Sequence, residues 1–291
     1  MNARPPFAYY GGKTTLAERI VDLLPAHSHY VEPFAGSLAV LLAKPRSEME
    51  TVNDIDGDLM TFWRVLREHP EDLTRVCALT PHSRAEHQAA YDLDASGDDL
   101  ERARRVWVLL TQGRGGTLRR TGWRFYCDPA GSTYSFPQYL EAYVDRMRPA
   151  AERLSRVSLE CRDALEVVAD YGKHPNVLLY VDPPYLAATR NSTNYRHEMA
   201  GEDQHQALAE ALRSCQASVV LSGYHSPLYD DLYANWHRME MSSWTGNGIR
   251  DGRPRTDGDR TEVLWSNRPL GDDTLFGVVR DDRADRTEGD R

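Results

Sequence analysis

Val177-Leu178-Leu179-Tyr180-Val181, followed at once by Asp182-Pro183-Pro184-Tyr185, decides how this chain is read. Five apolar residues without polar alternation predict a short strand covered on both faces, as inside a parallel sheet. The tetrad stops it abruptly. Pro183 forces Asp182 into an extended conformation, and the two prolines lack an N–H but keep their carbonyls. In open α/β sheets ligands gather beyond the carboxyl ends of the strands. There the tetrad would present a carboxylate, carbonyl acceptors and an aromatic ring. Such acceptors suit an exocyclic amino group, and the ring suits stacking on a planar base. The same four residues also satisfy a plainer reading, a strand-ending turn.

Outward from this strand the chain alternates strand and helix. On the N-terminal side, Leu16, Ala17, Ile20, Val21 and Leu24 have helix spacing over 14–24, and Pro25 ends the run. Tyr30-Val31 is a strand candidate that leads into Glu32-Pro33-Phe34-Ala35-Gly36, and Leu38 to Leu42 reads as a buried helix. Residues 49–52 form a second strand ending at Asn53-Asp54, and Leu59, Phe62, Trp63 and Leu66 mark an amphipathic helix. Strands at 157–161 and 218–221 and helices at 164–171 and 203–213 continue the pattern. Segments 237–241 and 261–265 flank a polar loop with Arg250, Arg253, Arg255 and Arg260, and pair as a hairpin at the sheet edge. The expected class is therefore α/β, mostly parallel with an antiparallel edge hairpin.

Residues 68–150 interrupt the alternation. A helix candidate at 100–110 is followed by Gly113-Arg114-Gly115-Gly116, an arginine-aromatic segment to Tyr126, and the turn signal Asp128-Pro129-Ala130-Gly131. We read this stretch as a largely helical insert, with the core at 1–67 and 151–271. The acidic, turn-rich residues 272–291 form a flexible tail.

Length and composition bound the function. At 291 residues, 41% hydrophobic and 27% charged, the chain fits one core of about 200 residues plus an insert. No apolar run approaches the roughly 18 residues of a membrane span, and the N-terminus leads into no signal core. The four cysteines at 77, 127, 161 and 215 form no knuckle, so no metal is expected and a reduced, cytoplasmic protein fits. The net charge of −9 speaks against a nucleic-acid partner, yet seven arginines lie between Arg102 and Arg124. Arg102, Arg104 and Arg105 also fit a solvated helix face. That reading suits Arg119, Arg120 and Arg124 less well, because glycine and aromatic residues surround them.

Two further motifs bear on ligands. The glycine turn at Gly36, after the first strand, lets a ligand approach the backbone, and Asp54, ending the next, is placed for ribose hydroxyls. Gly11-Gly12-Lys13-Thr14 imitates a phosphate loop, but that motif needs glycine at position 7, where Phe7 stands.

Taken in order, Tyr9-Tyr10-Gly11-Gly12-Lys13, Glu32-Pro33-Phe34-Ala35-Gly36-Ser37, Asn53-Asp54-Ile55-Asp56-Gly57-Asp58-Leu59 and Asp182-Pro183-Pro184-Tyr185 resemble the Dam-type adenine-specific DNA methyltransferases. Thr261-Glu262-Val263-Leu264-Trp265-Ser266-Asn267 resembles that family's closing strand. The likeness spans about 1–67 and 155–268. It implies a Rossmann-like methyltransferase sheet, S-adenosyl-L-methionine as cofactor, no metal, and double-stranded DNA as partner. Carried onto this sequence, it puts Tyr9, Tyr10, Lys13, Glu32, Pro33, Phe34, Gly36, Asp54, Asp163 and Asp182 at the cofactor, with a helix cap before Ala164 as the alternative reading of Asp163. Asp182, Pro183, Pro184 and Tyr185 would be catalytic, Tyr185 stacking on a flipped-out adenine. Arg114, Arg119, Arg120, Trp123, Arg124, Tyr126 and Tyr195 would meet DNA, and 189–196 would close as a lid or remain an ordinary loop.

The sequence departs from the family at Leu38, where a second glycine is usual, and in the insert, which lacks the usual Asn-Gly and Asn-x-Pro pattern. Methylation of cytosine, RNA or a protein glutamine, and a non-catalytic DNA-binding module, stay open at this point. With no helicase or nuclease motif in view, the chain reads as a stand-alone, monomeric enzyme. Its sequence names neither a recognition site nor a partner restriction endonuclease.

Overall fold

The structure, a computed structural model, describes residues 3–93, 97–125, 135–186, 196–197, 199, 201–244, 249–250, 253–254 and 259–271. Tyr126, Tyr195, the turn at 128–131, nearly all of the candidate lid and the tail at 272–291 lie outside them.

Seven strands form one sheet: β1 (His29–Glu32), β2 (Met49–Asn53), β3 (Ser158–Glu160), β4 (Val177–Val181), β5 (Ser218–Tyr224), β6 (His237–Trp244) and, after the two-residue β7 (Ile249–Arg250) and β8 (Arg253–Pro254), β9 (Asp259–Ser266). Their order is β3-β2-β1-β4-β5-β9-β6. The first five are parallel, while β9 runs antiparallel to both β5 and β6. This is the mostly parallel α/β sheet expected of a Rossmann-like methyltransferase. Every residue of β4 is buried, as its unbroken apolar run requires. From β1 the chain winds outward through β2 to β3, then returns to β4 on the other side of β1. The crevice beyond β1 and β4 is therefore the switch point where such sheets bind ligands.

Two apolar cores cover the faces. On one, Val31, Leu179, Leu221 and Trp265 meet Val167 of α9 (Ala164–Tyr171), Leu208 of α10 (Glu202–Arg213) and Tyr229 of α11 (Pro227–Leu232). On the other, Tyr30, Leu178 and Leu264 share a core with α1 (Ala17–Val21), α2 (Ala39–Ala43) and α3 (Gly57–Glu68), and with the helices that follow. Those are α4 (Pro70–Ala78), α6 (Asp99–Gln112), α7 (Phe136–Val144) and α8 (Met147–Leu154), while α5 (Arg84–Ala89) reaches the core through its capping residue Ala90. Trp63, Trp107, Leu140 and Met147 all belong to this second core, so residues 68–150 pack on the sheet's own helices. The N-terminal segment is clasped between them: Trp107 Nε1 donates to the Pro6 carbonyl (3.0 Å), and the Tyr10 N–H donates to the Gly116 carbonyl (2.8 Å).

The expected helix over 14–24 is reduced to α1. Residues ahead of it make turns, with the Leu16 N–H donating to the Lys13 carbonyl, because Lys13 sends its side chain inward. Strand β5 instead runs three residues beyond its expected end. Ser222, Gly223 and Tyr224 pair with Leu264, Val263 and Glu262, which outweighs the weak strand preference of serine and glycine.

Leu38 settles the departure from the family's glycine pattern. Its φ is +55°, left-handed, and it is the one non-glycine residue with positive φ among the described residues. The backbone keeps a glycine-like turn while the side chain is fully buried in the core. Left-handed backbone costs an L-residue roughly 1–2 kcal/mol, and burying a leucine side chain offsets that with about 1.5–3 kcal/mol. Replacement of Leu38 by glycine or alanine removes the buried side chain in both cases, a loss of roughly 2–5 kcal/mol. Only glycine relieves the backbone. The Leu38→Gly variant is therefore expected to be more stable than Leu38→Ala by about 1 kcal/mol, the reverse of the usual helix ranking. Chemical denaturation of both variants checks this, and an alanine variant at least as stable as the glycine variant contradicts it.

Candidate active site

Asn53 organises the strand ends from which the site is built. Its buried side-chain amide donates to the carbonyls of Pro33 (2.9 Å) and Arg162 (3.0 Å), and its oxygen accepts from the Arg162 N–H (2.9 Å). One side chain thus ties the ends of β1, β2 and β3. The glycine turn is held from three sides. The Gly36 N–H donates to Asp54 Oδ2 (3.0 Å), Trp63 Nε1 donates to the Gly36 carbonyl (3.1 Å), and a Cβ on Gly36 would stand 3.1 Å from the Tyr9 ring. With φ at +47°, this position needs glycine on both counts.

Beyond β4, Asp182 meets Lys13. The Lys13 ammonium donates to both Asp182 oxygens at 2.7 Å and to the Gly11 carbonyl at 2.9 Å, and lies 3.7 Å from Glu262 Oε1 on β9. The Tyr185 hydroxyl lies between Glu262 and Asp182 Oδ1 (3.1 Å), its one proton shared between them, and the Ser222 hydroxyl donates to Glu262 Oε1 (2.6 Å). Burial pulls the Lys13 ammonium downward, but Asp182 and Glu262 outweigh it and hold its pKa above the usual lysine value. Burial, with Glu262 adding to it and Lys13 opposing it, pushes the Asp182 carboxyl up to about 6. Lys13 is thus committed to carboxylates rather than turned out toward a phosphate.

Two further carboxyls are displaced by burial. Glu32 accepts from the Tyr30 hydroxyl (2.6 Å) and the Leu41 N–H (2.9 Å), which tether β1 to α2. Burial outweighs these bonds and raises it to about 8. Asp54 accepts the N–H groups of Gly36 and Asp56 (both 3.0 Å), and burial raises it to about 6.

These groups surround a cavity of about 620 Å³. Tyr9, Tyr10, Lys13, Glu32, Pro33, Phe34, Gly36, Asp54, Asp163, Asp182 and Pro184 all line it, so the residues expected at a cofactor are brought together. Asp163 does so while its carboxylate also caps α9 through the Leu165 N–H (2.7 Å). Ile55, Leu165 and Leu208 add apolar wall that no motif had flagged. The lining carries six carboxyl groups, Glu32, Asp54, Asp56, Asp163, Asp182 and Asp203, against the cations Lys13 and Arg196. That donor set fits S-adenosyl-L-methionine, with its sulfonium, ammonium, vicinal hydroxyls and purine. It is ill suited to nucleotide phosphates.

Tyr185 is only 5% exposed, its ring under the Lys13 ammonium (4.9 Å) and edge-on to Tyr224 (4.5 Å). In this state it braces Asp182; stacking on a base would require it to turn a face outward. Glu262 and Ser222 were not picked out as site residues. A glutamate directly ahead of the apolar run Val263-Leu264-Trp265 was the available signal for the first.

The arginine run divides. Arg104 pairs with Glu86 (2.9 Å) and Glu101 (2.6 Å), Arg105 with Glu101 (2.8 Å), and Arg102 with Asp58 (3.1 Å). Arg114, Arg119 and Arg120 are exposed, Arg120 lying over the Tyr91 ring at 4.9 Å. Arg124 lies over Tyr139 at 4.7 Å. Trp123 stacks between His82 (4.4 Å) and Phe125 (5.5 Å), with the Arg84 guanidinium over it at 4.8 Å.

Comparison with known proteins meets this geometry. A family model described as D12 class N6 adenine-specific DNA methyltransferase matches residues 9–245. The Retron Ec67 DNA adenine methylase of Escherichia coli is 26% identical over 92% of this chain and 94% of its own. The DNA adenine methylases of Vibrio cholerae and Salmonella typhi are each 27% identical, over 69% and 77% of this chain and 72% and 81% of theirs.

The displaced Glu32 carboxyl yields a stability test. Its pKa is raised on folding, so between about 4.5 and 8 the folded state holds more protons than the unfolded one, and stability falls as pH rises through that window. A Glu32→Gln variant keeps an acceptor for Tyr30 and Leu41 but does not titrate. It should match the wild type below pH 4.5 and become more stable than it by up to about 5 kcal/mol above pH 8, without ligand. Denaturation across that range measures the difference; a gap that stays constant with pH contradicts the assignment.

Proposed function

Because the chain belongs to the D12 class of N6 adenine-specific DNA methyltransferases, we propose that Asp182 and the Pro183 carbonyl receive the two N–H bonds of the adenine amino group at the mouth of this acidic cavity. The enzyme transfers a methyl group to adenine in DNA. The observation that carries the site assignment is Asp182 itself, a carboxylate at the switch point with one oxygen still able to accept. Lys13 and the Tyr185 hydroxyl both lie against Oδ1, whereas Oδ2 meets Lys13 alone. An oxygen of a carboxylate takes two donors, so the amine would go to Oδ2.

S-adenosyl-L-methionine, when bound, supplies an electrophilic methyl group on a sulfonium centre. The remaining cavity residues would hold it. Asp54 would accept the ribose hydroxyls and Asp163 would face the purine. Glu32, Tyr9, Tyr10, Pro33, Phe34 and Gly36 would enclose the methionine end. Lys13 would fix Asp182 in place.

The amine's lone pair is delocalised into the purine, so it is a weak nucleophile. Two acceptors on its hydrogens favour the pyramidal, charge-developing form over the planar one, which is preferential binding of the transition state. As the nitrogen gains its new bond its surplus proton leaves along the bond to Asp182. Neither Asp182 nor any cysteine forms a covalent intermediate in this scheme.

An adenine in a duplex cannot reach such a site, so the target base would flip out of double-stranded DNA. Residues 68–150 would form the target-recognition region. Arg114, Arg119, Arg120 and Arg124 would bind phosphates or guanine edges, and Trp123, with Tyr126 and Tyr195, would touch bases. Tyr185 would turn a ring face to the flipped adenine once it is bound. We assign the enzyme to the cytoplasm as a monomer.

Asp182→Asn removes the charge and substitutes a donor for one acceptor oxygen. It is expected to lower the rate of N6-methyladenine formation at saturating cofactor at least about a thousand-fold, roughly 4 kcal/mol. Quantifying methylated nucleosides by mass spectrometry after a single turnover tests this, and a loss under ten-fold contradicts it. In the wild type, kcat/KM should fall tenfold per pH unit below about 6, as Asp182 takes up a proton. Converting Arg114, Arg119 and Arg120 together to Gln should weaken DNA binding and lower its salt slope by about 3; an unchanged slope removes them from the interface.

A further inference from the structure

The Lys13–Asp182 contact poses an electrostatic problem that Asp182 does not solve by itself. In the reaction positive charge passes from sulfonium toward the amine nitrogen, and a preorganised negative group nearby stabilises that charge. Asp182 is bonded through both oxygens to an ammonium at 2.7 Å. Viewed from the cavity, that pair is a neutral dipole. Lys13 is 6% exposed, so water does little to screen it.

Glu262 supplies the missing charge. It lies on β9 directly across from Tyr224 of β5, 5% exposed, with Oε1 3.7 Å from the Lys13 ammonium. The groups that meet it, the Ser222 hydroxyl, the Tyr185 hydroxyl and the Lys13 ammonium, can all donate. Two hydroxyls converge on one of its carboxyl oxygens, and the Lys13 ammonium faces that oxygen across 3.7 Å. Two carboxylates then share one lysine, and the cluster carries a net charge of −1 beside the cavity. Tyr185 joins the two carboxylates through its hydroxyl.

We propose that Glu262 is a positioning residue for methyl transfer: it counters the charge of Lys13, so that Asp182 faces the amine as part of a net negative cluster, and it anchors Tyr185 against Asp182. The proposal rests on the reading that Asp182 receives the target amine. Glu262 itself touches neither substrate nor cofactor in this account.

The charge makes a prediction that a purely structural role does not. The titratable groups facing Asp182 are Lys13 from the N-terminal loop, Glu32 from β1, Tyr180 from β4, Tyr185 from the tetrad, Tyr224 from β5, Tyr229 from α11 and Glu262 from β9. Lys13 favours ionised Asp182, and Glu262 opposes it. Removing the Glu262 charge therefore makes Asp182 more acidic.

Glu262→Gln tests this, because its amide oxygen still accepts from Ser222 and Tyr185 while the charge is gone. The expected result is a fall in kcat of about 10–100-fold at neutral pH, with KM for DNA and the cofactor dissociation constant within about two-fold. The acid limb of the rate profile should move to lower pH. In the protein without cofactor, the Asp182 carboxyl signal in carbon-13 NMR should titrate at lower pH, a readout independent of turnover. Glu262→Asp, which keeps the charge, should leave both titrations at the wild-type position and recover most of kcat. Wild-type kcat in Glu262→Gln overturns the proposal, as does a reduced kcat with neither titration moved. If the Gln variant fails to fold, Glu262→Asp decides alone, since a limb displaced to lower pH there contradicts a charge effect. Asp182→Asn is assayed alongside: should it keep wild-type activity, the reading of Asp182 itself fails, whereas an inactive Asp182→Asn beside a fully active Glu262→Gln overturns only the role of Glu262.

Discussion

A lysine ammonium enclosed with two carboxylates is the constraint on which this structure turns. Burying any one of these charges alone would be prohibitive; together they satisfy one another. Holding Lys13 inward requires the turn at Gly11 and Gly12, which shortens α1 and carries Tyr9 and Tyr10 across the cavity. Holding Glu262 inward requires β9 to lie beside β5, with Tyr224 and Ser222 on the matching face. The antiparallel edge of the sheet is thus part of the site as well as of the fold.

The cavity is acidic by construction, and this sets its relation to stability. Glu32, Asp54 and Asp182 all have carboxyls raised by burial, so without a cationic ligand each lowers stability as pH climbs through its window. A positively charged ligand bound there would relieve that burden, the usual bargain between stability and function.

Legibility in the sequence followed how local each signal was. The buried strand at Val177–Val181 and the helix at Ala164–Tyr171 have the bounds their patterns implied, because apolar runs and a capping Asp163 are read within a few residues. The helix over 14–24 came out short because Lys13 answers to Asp182, 169 residues away. The arginine run could not be divided by spacing, since Arg104 finds Glu86 and Thr80 only after α5 and α6 pack. Leu38 looked like a broken glycine motif; its left-handed backbone keeps the turn. Glu262 stood in the sequence as part of a closing strand, and its partners Ser222, Tyr185 and Lys13 are brought to it only by the fold.

The most direct test of this account is a crystal structure of the enzyme with duplex DNA and a non-reactive analogue of the methyl donor. We predict the target adenine outside the helix, its amino nitrogen within hydrogen-bond distance of Asp182 Oδ2 and the Pro183 carbonyl. Lys13 should still bridge Asp182 and Glu262. An adenine bonded elsewhere, or Lys13 drawn away from Asp182 onto the ligand, would contradict it.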